Sequence, residues 1–266
     1  MKKTTIGFIG TGRISRALVA GLVRSSNYSI TGYDRDPDVR ESFCKTFAVA
    51  GISSMQELAE QADTLILAVK PYQMEDVLQE LQNGLRADHL LISVAAGITT
   101  EFIRSRSLPE SRVIRVMPNT PSFVGEGMTA LSAGKHAGEK DREHAAAIFS
   151  AVGRVMFLDE KHMDAATAVS GSGPAYMFHI IDAMARGGAA CGLDTNDAVL
   201  LSAQTMIGAA KLLLESGKQP ADLIQEVTTP GGTTEAGLKQ MVAHDIRQAM
   251  IDTVKAAAKR SSELKQ

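Results

Sequence analysis

The 266-residue sequence has no tryptophan, and Phe and Tyr bring the aromatic share to only 5%. So few rings leave no stacking platform for unpaired bases. Charge of one sign is equally scarce in excess: 28 Lys and Arg against 30 Asp and Glu leave a formal net charge of -2. The basic footprint of a nucleic-acid surface is missing, and nucleic acid is not an expected partner. Cysteines number two, Cys44 and Cys191. They form neither a disulfide framework nor a C-x-x-C motif, and they read as small buried hydrophobes in a reducing compartment. No apolar run approaches the ~20 residues that span a bilayer. The opening apolar run, Ile6-Gly7-Phe8-Ile9, is broken by glycines and Arg13 too early for a signal peptide. A soluble, cytoplasmic protein with no membrane partner is expected. What is present is ordinary globular usage, 44% hydrophobic and 22% charged, enough for a substantial core and two domains.

Strand-like runs at 6–9, 29–33, 64–69, 90–94, 113–117 and 128–132 alternate with helical patterns at 14–24, 37–47, 55–61, 74–81, 99–105 and 140–151. Short connections between them predict βαβ units around a mostly parallel sheet, an α/β domain. After Leu158 the β-branched runs disappear. Helical periodicity then occupies 164–169, 175–191, 196–216, 220–226, 234–243 and 246–264, punctuated by glycine and proline. The domain division is therefore drawn as 1–158 and 159–266. The helical half is too apolar for a lone small bundle, which predicts packing against a second copy of the chain.

Gly10-Thr11-Gly12-Arg13-Ile14-Ser15 ends the first strand and opens the first helix, the context in which a G-x-G turn binds dinucleotide phosphates. Gly10 permits a tight turn; Gly12 lets backbone approach a pyrophosphate seated on the helix N-terminus. The third glycine of the pattern is replaced by Ser15. At the end of the second strand stand Asp34 and Arg35. Asp34 can accept hydrogen bonds from an adenosine ribose, favouring NADH, whereas Arg35 can neutralise a 2′-phosphate, favouring NADPH. Later strands end in Ala68-Val69-Lys70-Pro71, in Ala95-Ala96-Gly97 and in Met117-Pro118-Asn119-Thr120-Pro121. In a sheet of this kind ligands bind at that edge. Small residues there leave room for a nicotinamide ring, and Asn119 offers it an amide.

Two clusters interrupt the helical half: Ser170-Gly171-Ser172-Gly173-Pro174 and Thr228-Thr229-Pro230-Gly231-Gly232-Thr233-Thr234. Each precedes a helix and can aim free N–H groups at an anion such as a carboxylate. Together with the glycine turn and the Lys70-Pro71 and Pro118-Asn119-Thr120-Pro121 motifs, they make the sequence resemble pyrroline-5-carboxylate reductase over essentially its whole length. The stretch from Pro220 to Met241 is the most specific part of the likeness.

The resemblance implies a Rossmann-type N-terminal domain and an all-helical dimerisation domain that interlocks with its twin, with higher assembly frequent. It implies NADPH as hydride donor, reduction of 1-pyrroline-5-carboxylate to L-proline, and a small-molecule substrate. Gly10, Thr11, Gly12, Arg13, Ile14, Asp34, Arg35, Ala68, Val69, Lys70, Pro71, Ala96, Gly97 and Asn119 are then the cofactor residues. Gly232, Thr233 and Thr234 hold the substrate carboxylate through backbone N–H groups with Gly231 beside them in the substrate site, the Thr234 hydroxyl meets the ring nitrogen, and Ser170, Gly171, Ser172, Gly173 and Pro174 line the pocket. A protonated cyclic imine takes hydride directly, so neither a metal nor a nucleophile is required among the six histidines. Departures lie at Arg13-Ile14, where such enzymes often carry Asn-Met, at Asp34, often Ser, Asn or Thr, and at Val242. Asp34 keeps NADH open as donor. A β-hydroxyacid dehydrogenase or imine reductase of different range is the alternative. The hydroxyacid version wants a catalytic Lys or Asp on the first long helix of the second domain, where 176–186 offers only Asp182 and His179. A non-catalytic nucleotide-binding regulator would bind without turnover.

Overall fold

The first strand, β1 (Thr4–Ile9), buries Ile6, Phe8 and Ile9 almost completely, on both of its faces. A strand with two covered faces belongs inside a parallel sheet with helices on either side. That is the architecture of the structure, a computed structural model that describes residues 3–24 and 27–264. The limits of the two expected domains at 1–2 and 265–266 lie outside the described residues.

Seven more strands join β1: β2 (Tyr28–Tyr33), β3 (Ala50–Gly51), β4 (Thr64–Leu67), β5 (Leu90–Ser93), β6 (Arg112–Met117), β7 (Gly127–Ala133) and β8 (Gly153–Phe157). Their order is β3-β2-β1-β4-β5-β6-β7-β8. All neighbours run parallel except β6 and β7. Helices α1 (Arg13–Leu22), α2 (Pro37–Phe47) and α6 (Glu139–Ser150) cover one face, where Phe8, Leu18, Phe43, Ile148 and Phe149 form one core. Helices α3 (Met55–Gln61), α4 (Met74–Leu81) and α5 (Thr100–Ser105) cover the other, around Leu58, Leu65, Leu78 and Ile103. Side chains cap the helix starts: Asp36 accepts from Asp38 N–H at 2.9 Å for α2, Ser54 from Glu57 N–H at 3.2 Å for α3, and Thr99 from Phe102 N–H at 3.0 Å for α5.

Strand β8 has no counterpart among the expected strands. It is a sheet-edge strand in which Arg154 and Met156 are exposed and the alternating partners only half-buried, so its apolar pattern is weak. Strand β3 is two residues long.

The chain divides into two compact units, one reaching Ser172 and regaining the segment from Ala256, the other Gly173–Lys255. The 158/159 division drawn from composition tracks the end of the strands. The segment just past it, α7 (Met163–Ala166) and the π turn Thr167–Gly171, packs into the first unit with Met163, Asp164 and Ala168 buried. A buried ionic network ties these pieces together. Arg115 on β6 lies 3.5 Å from Glu160 and 3.7 Å from Asp164. Glu160 accepts from Thr100 N–H at 2.8 Å and its hydroxyl at 2.6 Å, and Asp164 accepts from the Ser261 hydroxyl at 3.0 Å.

The second unit comprises α8 (Gly173–Ala190), α9 (Thr195–Ser216), α10 (Pro220–Glu226), α11 (Thr233–Ala243) and the larger part of α12 (Ile246–Glu263). Its interior is thin: Ala185, Ala198 and Ser202 are buried, while Phe178 is 65% and Leu200 68% exposed. By length and composition α9 qualifies to cross a membrane, with a mean hydropathy of 1.3 over 18 residues. That corrects the expectation that no segment comes near this length. Asp197, Lys211 and Glu215 interrupt the run in sequence, yet the 18-residue window holds at most two charged side chains.

Candidate active site

Strand β1 sits between β2 and β4, so the chain leaves the sheet in opposite directions on either side of it, and a crevice opens at the strand ends. A cleft of about 280 Å³ lies there, lined by Gly10, Gly12, Asp34, Arg35, Ala68, Val69 and Lys70. Gly10 N–H donates to Tyr33 O at 2.8 Å, with φ +91°. A Cβ at Gly10 would stand 2.5 Å from Ala68 O, so both conformation and contact demand glycine. A Cβ at Gly12 would meet nothing within 4 Å. The space over the start of α1 is thus open to a ligand, and the first N–H groups of that helix have no acceptor inside it. Ser15 takes the third glycine's place by burying its hydroxyl on Gly10 O at 2.6 Å. These features fit a dinucleotide pyrophosphate.

Thr11 is buried and turned from the cleft to Asp34. Its N–H and hydroxyl reach Asp34 Oδ2 at 2.8 and 3.0 Å, while Asp34 Oδ1 accepts from Asp36 N–H at 3.1 Å. Arg13 places its guanidinium 5.4 Å above the Phe123 ring, and Ile14 packs on the core beneath α1. Lys70 is exposed and begins the one-turn 3₁₀ segment Pro71–Gln73, its N–H on Gln73 Oε1 at 3.0 Å.

Sequence reasoning missed the far wall: Gln73, Asp76, Val77 and Glu80 also line the cleft. Their spacing of three, one and three residues is a helical stripe, which was the available signal. With Asp34, Asp76 and Glu80 against Arg35 and Lys70, this lining carries more negative than positive side chains.

Ala96, Gly97, Pro71 and Asn119 stand apart from that lining. Gly97 packs against the backbone of Leu264, where a Cβ would come within 2.8 Å. The Asn119 carboxamide is bonded to Ser170 and Met128. Ser170 and Gly171 end the π turn, Ser172 follows it, and Gly173 and Pro174 begin α8.

In the second unit, Gly232 is the residue before α11, and Thr233 and Thr234 are its first two residues. Gly231 has φ +73°, and its N–H donates to the Glu235 carboxylate at 2.5 Å. Hydrogen bonds from the Lys239 ammonium and then from Gly231 hold the Glu235 carboxyl below the usual carboxylate range. Gly232 N–H is taken by Thr229 O at 3.0 Å. The N–H groups of Thr233 and Thr234 have no acceptor within the helix and point from its positive end.

A dinucleotide cleft at the sheet's switch point, followed by a helical domain with little interior of its own, defines a nicotinamide-dependent oxidoreductase with an appended dimerisation domain. Comparison with known proteins narrows this. A family model described as pyrroline-5-carboxylate reductase dimerisation matches residues 160–264, and one described as NADP oxidoreductase, coenzyme F420-dependent, matches 5–97. The pyrroline-5-carboxylate reductase of Arabidopsis thaliana is 40% identical over 98% of this chain and 95% of its own. A solved pyrroline-5-carboxylate reductase from Coxiella burnetii superposes with a TM-score of 0.93 at 36% identity, covering 100% of both chains. The Plasmodium falciparum enzyme, solved with NADP bound, gives 0.89 at 29% identity, also covering 100% of both. The chain belongs to the pyrroline-5-carboxylate reductase family.

Proposed function

We propose that this protein reduces 1-pyrroline-5-carboxylate to L-proline, the last step of proline biosynthesis, with NADPH as donor. The observation that carries this reading is the end-to-end likeness to the Arabidopsis reductase, 40% identity over 98% of the chain, which includes both the cleft and the Pro230–Thr234 turn. Bound NADPH supplies the hydride that reduces the C=N bond.

The chain's own residues have three tasks. The Gly10–Gly12 turn, Arg13, Ile14 and the start of α1 hold the pyrophosphate, while Arg35 and Lys70 offer cations to the adenosine end. Ala68, Val69, Pro71, Ala96 and Gly97 shape the strand-end edge for the rest of the nucleotide. The substrate carboxylate sits on the N-terminus of α11, on the N–H groups of Thr233 and Thr234 next to Gly231 and Gly232. The Thr234 hydroxyl meets the ring nitrogen and steadies its proton, which keeps the imine electrophilic. Ser170, Gly171, Ser172, Gly173 and Pro174 wall the pocket. Orientation of the imine carbon and exclusion of water supply the rest of the rate.

Asp34 and the acidic lining contributed by Asp76 and Glu80 favour a second donor, NADH, beside NADPH. The helical units of two chains pair through their exposed apolar faces into a homodimer, on which a larger oligomer can build. We place the reaction in the cytoplasm, with neither nucleic acid nor membrane as partner. The test is nucleotide oxidation by folded protein given pyrroline-5-carboxylate with NADPH or NADH; no oxidation of either contradicts the assignment.

A further inference from the structure

Asn119 follows β6 at the sheet edge where the cofactor cleft opens, and it is 9% exposed. Both ends of its carboxamide are occupied. Oδ1 accepts the N–H of Met128 at 2.9 Å. Nδ2 donates to the Ser170 carbonyl at 3.1 Å and reaches the Ser170 hydroxyl at 3.3 Å. That hydroxyl donates in turn to Met128 O at 3.3 Å. One side chain thus joins the end of β6, the start of β7 and the π turn Thr167–Gly171.

The need for this bond is written in the sequence of the turn. In a continuing helix the Ser170 carbonyl would take the N–H four residues on, but that residue is Pro174, which has none. The turn is also widened, with Ser172 N–H donating back to Thr167 O at 2.9 Å. Asn119 Nδ2 supplies the donor that the helix cannot. Two residues upstream, Met117 presses its terminal methyl on Gly171, where a Cβ would come within 2.7 Å. A single loop therefore fixes the turn by a hydrogen bond at Ser170 and a packing contact at Gly171. π turns are uncommon and recur at functional sites.

We propose that Asn119 is a positioning residue: it presets the Ser170-Gly171-Ser172 turn for the imine substrate and does not itself read the nicotinamide amide. The proposal rests on the reading above, in which this turn walls the substrate pocket. Its Nδ2 hydrogens are turned onto Ser170 and one Oδ1 lone pair onto Met128 N–H, which leaves a ligand at most the second Oδ1 lone pair.

Two variants test it. Asn119→Asp keeps the size and the acceptor for Met128 but sets an acceptor against the Ser170 carbonyl; Asn119→Ala removes both bonds. In each, the KM for pyrroline-5-carboxylate rises about tenfold or more while the NADPH dissociation constant stays within about twofold. Amide exchange at Ser172, followed without substrate, accelerates in both. A weakened NADPH affinity with unchanged imine KM overturns the proposal, because it makes Asn119 a nicotinamide ligand. So does a lowered melting temperature with KM and kcat both unchanged, which reduces Asn119 to general stability. Unchanged exchange at Ser172 overturns the clamp regardless of catalysis, whereas a wild-type protein that does not turn over the imine overturns the functional reading instead.

Discussion

Thr11 and Asp34 are joined twice: the backbone N–H and the hydroxyl of Thr11 both end on Oδ2 of Asp34, at 2.8 and 3.0 Å. The carboxylate at the end of β2 therefore braces the glycine turn at the end of β1 while also lining the nucleotide cleft. A residue in both roles couples loop order to cofactor choice. Asp34→Ser removes the negative charge beside the adenosine end and shortens the brace. We expect kcat/KM for NADPH relative to NADH to rise by roughly an order of magnitude, with both affinities somewhat lowered. Steady-state kinetics with each nucleotide decides; an unchanged ratio removes Asp34 from cofactor selection.

Gly10 tolerates no side chain. With φ +91° and Ala68 O 2.5 Å from where a Cβ would stand, Gly10→Ala must move the turn or the end of β4. We expect about 1–3 kcal/mol of lost stability and a nucleotide dissociation constant raised by about tenfold or more. Urea unfolding and nucleotide titration measure these separately. Wild-type affinity would show that the turn does not receive the pyrophosphate.

His89 makes the fold sensitive to acid. It is buried, its Nδ1 accepts from Arg86 N–H at 2.9 Å, and its Nε2 faces the carbonyls of Ala59 and Ala62 at 3.0 and 3.1 Å. This requires the neutral ring with its proton on Nε2. Burial, helped by the Arg86 charge, lowers its pKa below the usual 6.5, and burial lowers that of His144 likewise. The unfolded chain then binds protons that the folded chain refuses. Stability is full above about pH 6.5 and falls as the pH drops from there toward the folded-state values. His89→Gln should flatten, though not abolish, the loss of urea midpoint between about pH 7 and pH 5.5; an equally steep loss assigns the effect elsewhere.

Thr234→Ala should lower kcat by about tenfold to a hundredfold, with NADPH binding unchanged. The substitution leaves the backbone N–H of α11 in place, so the KM for the imine should move less than kcat. An unaltered rate dismisses the hydroxyl from the reaction.

Leu200, 68% exposed on α9, should lie against the second chain. Leu200→Asp is expected to shift the protein toward monomer in light scattering. Undiminished dimer would move the interface off this part of α9.

Much of this was legible from residue order. Apolar strands covered on both faces and the glycine turn have local signals, and the structure places them where those signals point. Strand β8 was not legible, because its Arg154 and Met156 face outward at the sheet edge. The far wall of the cleft was missed because Gln73, Asp76 and Glu80 look like the solvated side of an ordinary helix until β4 brings them to Gly10. Asn119 shows the other limit. Its amide was readable as a free ligand group, and only the fold reveals that Pro174 leaves a carbonyl for it to satisfy.

The stoichiometry of the wild-type reaction tests the assignment to pyrroline-5-carboxylate reduction: L-proline formed per nucleotide oxidised when folded protein is given pyrroline-5-carboxylate and NADPH. One proline should form for each NADPH consumed. Nucleotide binding without proline formation, with NADPH and NADH alike, would contradict it.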